Sequence, residues 1–326
     1  MTRTRAWRDG SVEAEGFPVA DTSDHLEHDD GMVWIDFTDP SADDLAQVEE
    51  ELGVHELASE DALEPGQRTK LDRYRGGLFL VVHDITRPRS VDPDDATLVS
   101  REVKAFITPR ALVTMHGADF DMDEIVRRWD ANADLATHGV PFLVWGLLDG
   151  VVDHATTAVE QMDEMVDRLE SDLFDTDART AGIQRRSFGL RKSLGTIRRL
   201  VVPMHDVIQS ILHGDADRLT DGIRPYFRDV ADHVASVADE TDSLRDTVAS
   251  VLDTNLNLAS NRQNLVMKKV TSWAAIIAIP TAITGFFGQN VTFPGESSWS
   301  GLVISLVLII GTSVTLYGVF KRKDWL

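Results

Sequence analysis

Two long apolar stretches near the C-terminus constrain this chain most. Residues 270–287 (VTSWAAIIAIPTAITGFF) and 301–320 (GLVISLVLIIGTSVTLYGVF) carry no charged side chain. At a rise of about 1.5 Å per residue, a helix of either length is close to what crosses a hydrocarbon core of about 30 Å. The first stretch is short and contains Pro280, so a buried helix of a soluble protein is the alternative for that stretch alone. Two adjacent stretches favour a pair of transmembrane helices.

Basic residues flank this hairpin on one side. Lys268 and Lys269 precede the first stretch and residues 321–323 (KRK) follow the second, whereas the connecting residues 289–300 include no Lys or Arg. By the positive-inside rule both ends of the hairpin face the cytoplasm. The N-terminal residues lack the apolar core of a secretion signal, so the part before the hairpin is expected to be cytoplasmic. We therefore expect a multi-pass protein of the cell (inner or plasma) membrane.

Composition narrows the functional classes. The mean hydropathy of −0.14 indicates that most of the 326 residues are soluble, and the formal charge of −22 argues against a nucleic-acid partner, which requires a basic face. Cysteine is absent, so only His, carboxylate and carbonyl groups remain as metal ligands, a set that suits hard cations. No Walker A loop, Rossmann fingerprint or His-Glu-x-x-His motif occurs in a convincing context. The chain is predicted not to be an enzyme.

The first apolar stretch has one small and polar face. Alternating steps of three and four place on that face Asn264, Met267, Thr271, Ala274, Ala278, Thr281, Gly285 and Gly288. Such a seam is typical of close helix packing and equally of a pore wall, and the pattern leaves both open. Because two spans cannot enclose a channel, a pore requires an oligomer. Gln289 and Asn290 follow the seam, and their amides are suited to bind the waters of a hydrated magnesium ion.

The rest of the chain predicts an α+β fold. Strand-like segments at 32–37, 78–82, 98–107 and 111–115, with a short helix at 41–52, indicate an α/β domain. Two helices at 142–175 and 180–213 precede one long helix that begins near residue 222 and runs into the first span. The predicted organisation is an acidic, disordered tail (1–30), a cytoplasmic α/β domain (31–140), a cytoplasmic helical domain with a long stalk helix (141–269) and a transmembrane hairpin with a basic tail (270–326).

Several short segments together resemble one family. Residues 287–290 (FGQN) lie where the CorA magnesium transporter family carries its Gly-Met-Asn signature, and residues 321–326 (KRKDWL) are similar to its basic tail ending in Trp-Leu. Residues 226–233 (YFRDVADH) and 260–268 resemble parts of the long helix of that family, and Glu60-Asp61 followed by Gln67-Arg68 resembles a segment of its cytoplasmic domain. The sequence therefore resembles the CorA family over most of its length.

The resemblance implies an assembly and a function. It implies a funnel-shaped homopentamer in the lipid bilayer, with a pore made by five copies of the first span, that conducts Mg²⁺ and also Co²⁺ or Ni²⁺. It also implies gating by intracellular Mg²⁺ bound between subunits, and Asp61 and Asp229 match those regulatory carboxylates. The expected pore entrance is Gly288, Gln289 and Asn290, and the expected pore lining is Asn264, Met267, Val270, Thr271, Ala274, Ala278, Thr281 and Gly285.

One departure keeps alternatives open. Gln289 replaces the methionine of the family signature, and this change could alter selectivity or conductance. The alternatives are a transporter of Zn²⁺ or another transition metal with the same architecture, with or without proton coupling, and a membrane-anchored metal sensor that does not conduct.

Overall fold

A computed structural model describes residues 1–28, 30–88, 92, 94–173, 180–214, 219–289 and 299–325. It divides the chain into two compact units, Met1–Val251 and Leu252–Leu326. The boundary lies inside one long helix. The domain limits predicted from the sequence at residues 140 and 269 remain predictions.

A seven-stranded sheet forms the core of the first unit. In chain order its strands are β1 (Thr2–Arg8), β2 (Ser11–Glu15), β3 (Gly31–Thr38), β4 (Lys70–Tyr74), β5 (Gly77–Thr86), β6 (Val99–Ile107) and β7 (Ala111–His116), arranged as β2-β1-β3-β7-β6-β5-β4. β3 and β7 pair in parallel, and the other neighbouring pairs are antiparallel. β3 and β7 are buried along almost their whole length, as expected for central strands covered on both faces.

Short helices cover this sheet. They are α1 (Thr22–His25), α2 (Ala42–Leu52), α3 (Glu56–Leu63) and α4 (Met122–Ala131), with 3-10 turns at Val19–Asp21 and Ala133–His138. α2 begins where the sequence predicts, because Ser41 and Asp44 form a reciprocal capping box that satisfies the first free backbone amides.

Four long helices follow: α5 (Val140–Leu173), α6 (Thr180–Gly214), α7 (Arg224–Phe287) and α8 (Trp299–Arg322). α5 packs on β5 and on α6. α7 has 64 residues and continues without interruption from the first unit into the second. The predicted α/β unit, long helix and two C-terminal apolar helices are therefore confirmed.

The prediction of a disordered tail at residues 1–30 is wrong. Residues 2–8 form β1, which pairs with β3 from Thr2 opposite Phe37 to Arg8 opposite Gly31 and buries Ala6 and Trp7. β2 then adds to the edge of the sheet. β1 is mostly polar and its stability comes from pairing with the distant strand β3, which local composition does not indicate.

A buried ion cluster ties α5 to the sheet. His154 on α5 donates one hydrogen bond to Asp84 of β5 (2.6 Å) and one to Glu124 of α4 (3.0 Å). Arg101 of β6 also donates to Asp84, at 3.0 Å. Asp84 is almost completely buried, and the two cationic side chains supply hydrogen bonds to its carboxylate there. The hydrogen bond to Asp84 is the main cause that raises the pKa of His154 to about 9, although burial opposes it.

This cluster predicts a loss of stability in mild alkali. The folded-state pKa of His154 lies above its ordinary value of about 6.5, so its stabilisation is complete below pH 6.5 and disappears as the pH rises through 9. We expect the free energy of unfolding to fall by at most about 3 kcal/mol between pH 6.5 and 9.5. Urea unfolding of the detergent-solubilised chain, followed by tryptophan fluorescence, measures this change.

The matched substitutions are His154→Gln and His213→Gln. His213 lies exposed at the end of α6, and its one hydrogen bond to a described residue is with the Gln209 carbonyl oxygen of its own helix. His154→Gln should remove most of the dependence on pH, and His213→Gln should keep it. Equal slopes in wild type and His154→Gln would show that His154 does not carry the effect.

Candidate ion path and regulatory carboxylates

Two helices are long and apolar enough to cross a membrane, by length and composition: the C-terminal part of α7 and all of α8. Their large apolar side chains are exposed, among them Trp273, Ile277, Val307 and Ile310. A continuous apolar surface of this extent is unfavourable in water and is typical of lipid-facing helices. This agrees with the two transmembrane helices predicted from the sequence.

Each of these two helices has one stripe of reduced exposure. On α7 it consists of Ser272, Ala275, Ile276, Ile279, Pro280, Ile283 and Phe287, and on α8 of Gly301, Ser305, Ile309, Thr312, Ser313, Leu316 and Phe320. Spacings of three and four place each stripe on a single face. Since both helices belong to the second unit, we infer that they pack along these stripes.

The predicted pore-lining residues lie outside the α7 stripe. All eight are exposed, namely Asn264, Met267, Val270, Thr271, Ala274, Ala278, Thr281 and Gly285. The structure therefore places them on the part of α7 that the other helix of the same chain leaves uncovered.

Thr281 has a defined hydrogen-bonding role on this face. Its hydroxyl donates to the carbonyl oxygen of Ile277, 2.8 Å away on the same helix. Because its proton is committed there, the hydroxyl oxygen presents lone pairs as an acceptor. An acceptor at this position is suited to a water of a hydrated cation.

The helix ends at the predicted pore entrance. The amide of Gly288 donates to the carbonyl oxygen of Thr284 (2.9 Å) and that of Gln289 to Phe286 (3.3 Å), so these residues form the terminal turn. Both are exposed. Asn290, the third predicted entrance residue, lies outside the described residues.

The inner end of the predicted path borders the C-terminal tail. Asn261, Asn264, Met267 and Thr271 line a groove of about 590 Å³ together with Trp325. Trp325 is held by stacking on Phe320 (5.7 Å between ring centroids) and by its amide, which donates to the Phe320 carbonyl oxygen at 2.9 Å. In the sequence, the tail was noted only for its resemblance to the family. No local pattern in residues 321–326 predicted that Trp325 would border this part of α7.

Asp61 lies on α3 with its carboxylate engaged inside the chain. Lys70 of β4 donates to it at 2.9 Å and the Tyr74 hydroxyl at 3.1 Å. The hydrogen bond from Lys70 is the main cause that lowers the pKa of Asp61 below its ordinary value, against partial burial. Asp61 is therefore ionised at neutral pH. Its partner Lys70 also contacts a second carboxylate, that of Asp72, at 2.7 Å.

Asp229 lies on α7 with an exposed carboxylate. Its ion-pair partner is His233, one turn further along, at the long distance of 3.9 Å. Asp149 of α5 lies near enough to Asp229 to be affected by its charge. Burial is the main cause that raises the pKa of Asp149; the charges of Asp153 and Asp229 raise it further, and Arg128 lowers it. Asp229 is thus a weakly compensated carboxylate beside other acids.

A single chain does not join the two predicted regulatory residues. Asp61 is bound by Lys70 and Tyr74, and Asp229 contacts His233. Among the residues the structure describes, no group of three or more His, Asp or Glu side chains is placed to hold a metal ion.

The fold and the two apolar helices define a membrane protein with a soluble α/β unit. The family described as "CorA-like Mg2+ transporter protein" matches residues 29–322, so the chain belongs to that family. It is 28% identical over 301 residues to the cobalt/magnesium transport protein CorA of Thermotoga maritima, covering 90% of this chain and 83% of that protein. Membership in a transporter family confirms the prediction that the chain is not an enzyme.

Two further comparisons, one of sequence and one of structure, show how far the similarity to known proteins extends. The zinc transport protein ZntB of Yersinia pseudotuberculosis is 22% identical over 265 residues, covering 79% of this chain and 77% of that protein. The complete structure of the CorA magnesium transporter from Methanocaldococcus jannaschii matches with a TM-score of 0.78 at 18% identity, covering 99% of this chain and 98% of that one. The fold is therefore shared along the full length.

Proposed function

We propose that the protein is a magnesium channel, also permeable to Co²⁺ and Ni²⁺, that assembles as a homopentamer in the cell membrane with both termini in the cytoplasm. The uncovered small and polar face of α7 carries this proposal, because it lies on a helix apolar enough to cross a membrane and leads directly into the Gly288-Gln289 turn. Family membership and the higher identity to a cobalt/magnesium transporter than to a zinc transporter support magnesium as the ion.

In this channel a hydrated ion passes the exposed face of α7 in order. The Asn290 and Gln289 amides bind its waters at the outer entrance beside Gly288, and Gly285 leaves room while the Thr281 oxygen accepts hydrogen bonds from those waters. Ala278 and Ala274 continue the narrow wall. Met267, Val270 and Thr271 form a constriction near the cytoplasmic end, and Asn264 provides an inner polar ring.

Regulation places Mg²⁺ between Asp61 of one subunit and Asp229 of the next. Lys70 competes for Asp61 in the single chain, but it already contacts Asp72 at 2.7 Å and can remain there when a metal takes Asp61. Bound Mg²⁺ joins the two carboxylates and holds the closed state. When internal magnesium falls, the carboxylates repel one another across the interface and the closed state loses stability.

Ion flux into proteoliposomes tests this proposal. We expect Mg²⁺ and Co²⁺ to enter without a pH gradient, because the path contains water-binding oxygens and no His or carboxylate ligand among its named residues. The measurement compares Mg²⁺, Co²⁺, Ni²⁺ and Zn²⁺ with and without a pH gradient. Zinc flux that requires the gradient would replace the magnesium channel with a proton-coupled zinc transporter. Absence of flux for all four metals, with metal-dependent protection from proteolysis, would indicate a sensor.

A further inference from the structure

α6 carries an exposed basic face in a strongly acidic protein. Between Thr180 and Gly214 the sequence holds six Arg or Lys residues and one acid, whereas the whole chain has a formal charge of −22. Two of the six are paired: Arg186 with Asp172 and Arg198 with Asp242. The other four form no ion pair with a described residue and are exposed, and they are Arg185, Arg191, Lys192 and Arg199.

This basic face is also partly apolar. Phe188 stands among the four cations with 61% of its surface exposed, and Val202 continues the stripe with 38% exposed. A large exposed aromatic side chain flanked by cations is typical of a contact surface more than of a solvated helix face. We name Arg185, Phe188, Arg191, Lys192, Arg199 and Val202 the basic flank.

The neighbouring helix α5 carries the opposite charge. Its C-terminal half exposes five acids, which we name the acidic flank: Glu160, Asp163, Glu164, Asp167 and Glu170. Glu164 has one weak partner, Arg168, at 3.8 Å. The other four form no ion pair with a described residue.

The two flanks lie on opposite sides of the α5–α6 pair. The contact between Asp172 and Arg186 at 2.5 Å marks the side on which the two helices face each other. At about 100° per residue, the centre of the acidic flank lies about 140° around α5 from Asp172, and the centre of the basic flank about 150° around α6 from Arg186. Each flank therefore points away from the other helix of the α5–α6 pair. The acidic flank also borders α7, because burial and then the charges of Asp163 and Glu160 raise the pKa of Glu240 on that helix.

The two flanks also lie at the same height. α5 and α6 are joined by residues 174–179 and run antiparallel, as short connections between packed helices require. With Arg186 opposite Asp172, each step forward on α6 corresponds to a step back on α5. Arg191 is then level with Asp167, and Arg199 is level with residue 159, which precedes Glu160.

We propose that the basic flank of one subunit docks on the acidic flank of the next subunit in the ring. A cyclic assembly uses two different faces at each contact, and these flanks are two different faces of opposite charge at matched positions along the α5–α6 pair. The basic flank and the acidic flank have opposite charges at matched positions, so the partner that fits either flank is a second copy of this chain. The inference rests on the proposed ring assembly and adds the surfaces that meet, with Arg191 opposite Asp167 and Arg199 near Glu160.

Cysteine cross-linking tests the contact, because the natural sequence contains no cysteine. The full-length variant R191C/D167C, treated with a short bismaleimide in detergent at low salt, should give a ladder of covalent oligomers up to the complete ring. The control R191C/D43C pairs the same position with an exposed acid on α2 and should give little ladder. Native mass spectrometry of both proteins reports the assembly without cross-linking.

Charge reversal provides a second, independent readout. At low salt, R191E/R199E should raise by about tenfold the protein concentration at which half of the rings dissociate. Adding D167R/E160R to the same protein should restore the wild-type concentration. Rescue by the second pair excludes simple misfolding as the cause. An intact ring without a ladder or without the charge effect would overturn the docking proposal and leave the channel proposal standing. A monomeric wild-type protein would overturn both.

Discussion

Replacing Asn290 by alanine is expected to reduce Mg²⁺ uptake by proteoliposomes by at least about a hundredfold. A magnesium ion keeps most of its waters as it enters, so the entrance must bind those waters with well-placed oxygens. In the proposed channel each subunit places the Asn290 amide oxygen at the entrance, so one substitution removes all of these oxygens from the proposed ring at once. A loss of about 3 kcal/mol of binding across the ring corresponds to about a hundredfold in flux.

The control for this prediction is Thr315→Ala. Thr315 lies on α8, and its hydroxyl bonds the carbonyl oxygen of Gly311 in its own helix at 2.7 Å. Its removal deletes a polar group of the membrane region away from the proposed path, and uptake should stay near the wild-type rate. Uptake by Asn290→Ala at the wild-type rate, with equal protein incorporation, would remove Asn290 from the entrance. Gln289→Met, which restores the family signature, tests separately whether the departure alters ion preference.

Replacing Asp229 by alanine is expected to weaken inhibition by internal magnesium. Asp229 supplies a charged ligand to the proposed interfacial site, and its carboxylate is exposed with one distant partner, so the variant should fold normally. Loss of one charged ligand should raise the half-inhibiting Mg²⁺ concentration by about tenfold or more. Uptake measured over a range of internal Mg²⁺ concentrations determines this value.

The matched control is Asp246→Ala on the same helix. Asp246 is exposed like Asp229 and has the same charge, but it belongs to no proposed site. It should keep the inhibition curve of the wild type. Coinciding curves for Asp229→Ala and wild type would eliminate Asp229 as a sensor. If Asp246→Ala shifts the inhibition curve as much as Asp229→Ala does, the total charge of the protein, and not a specific site, determines the inhibition.

Features that repeat along the sequence were predictable, and features that join distant segments were not. Helical spacing identified the exposed face from Asn264 to Gly285, and apolar β-branched runs identified β3, β5, β6 and β7. The strand β1 was missed because its partner β3 lies some thirty residues away. The partners of Asp61 were missed although they are near in sequence, because Lys70 and Tyr74 reach it only when β4 is placed beside α3.

The cluster around His154 illustrates the limit further. Asp84 and His154 are separated by 70 residues, and neither is unusual in its local sequence. Burial of Asp84 makes the contact energetically important, and burial depends on the complete sheet. The sequence could identify the entrance residues by resemblance, but Asn290 lies outside the described residues, so its role remains a prediction.

The continuity of α7 has a mechanical consequence. Asp229 and Met267 are 38 residues apart on one uninterrupted helix, a path of about 57 Å. In the proposed channel, Asp229 belongs to the regulatory site and Met267 to the constriction. A change that begins at the first can therefore reach the second along one hydrogen-bonded helix, with no loop between them.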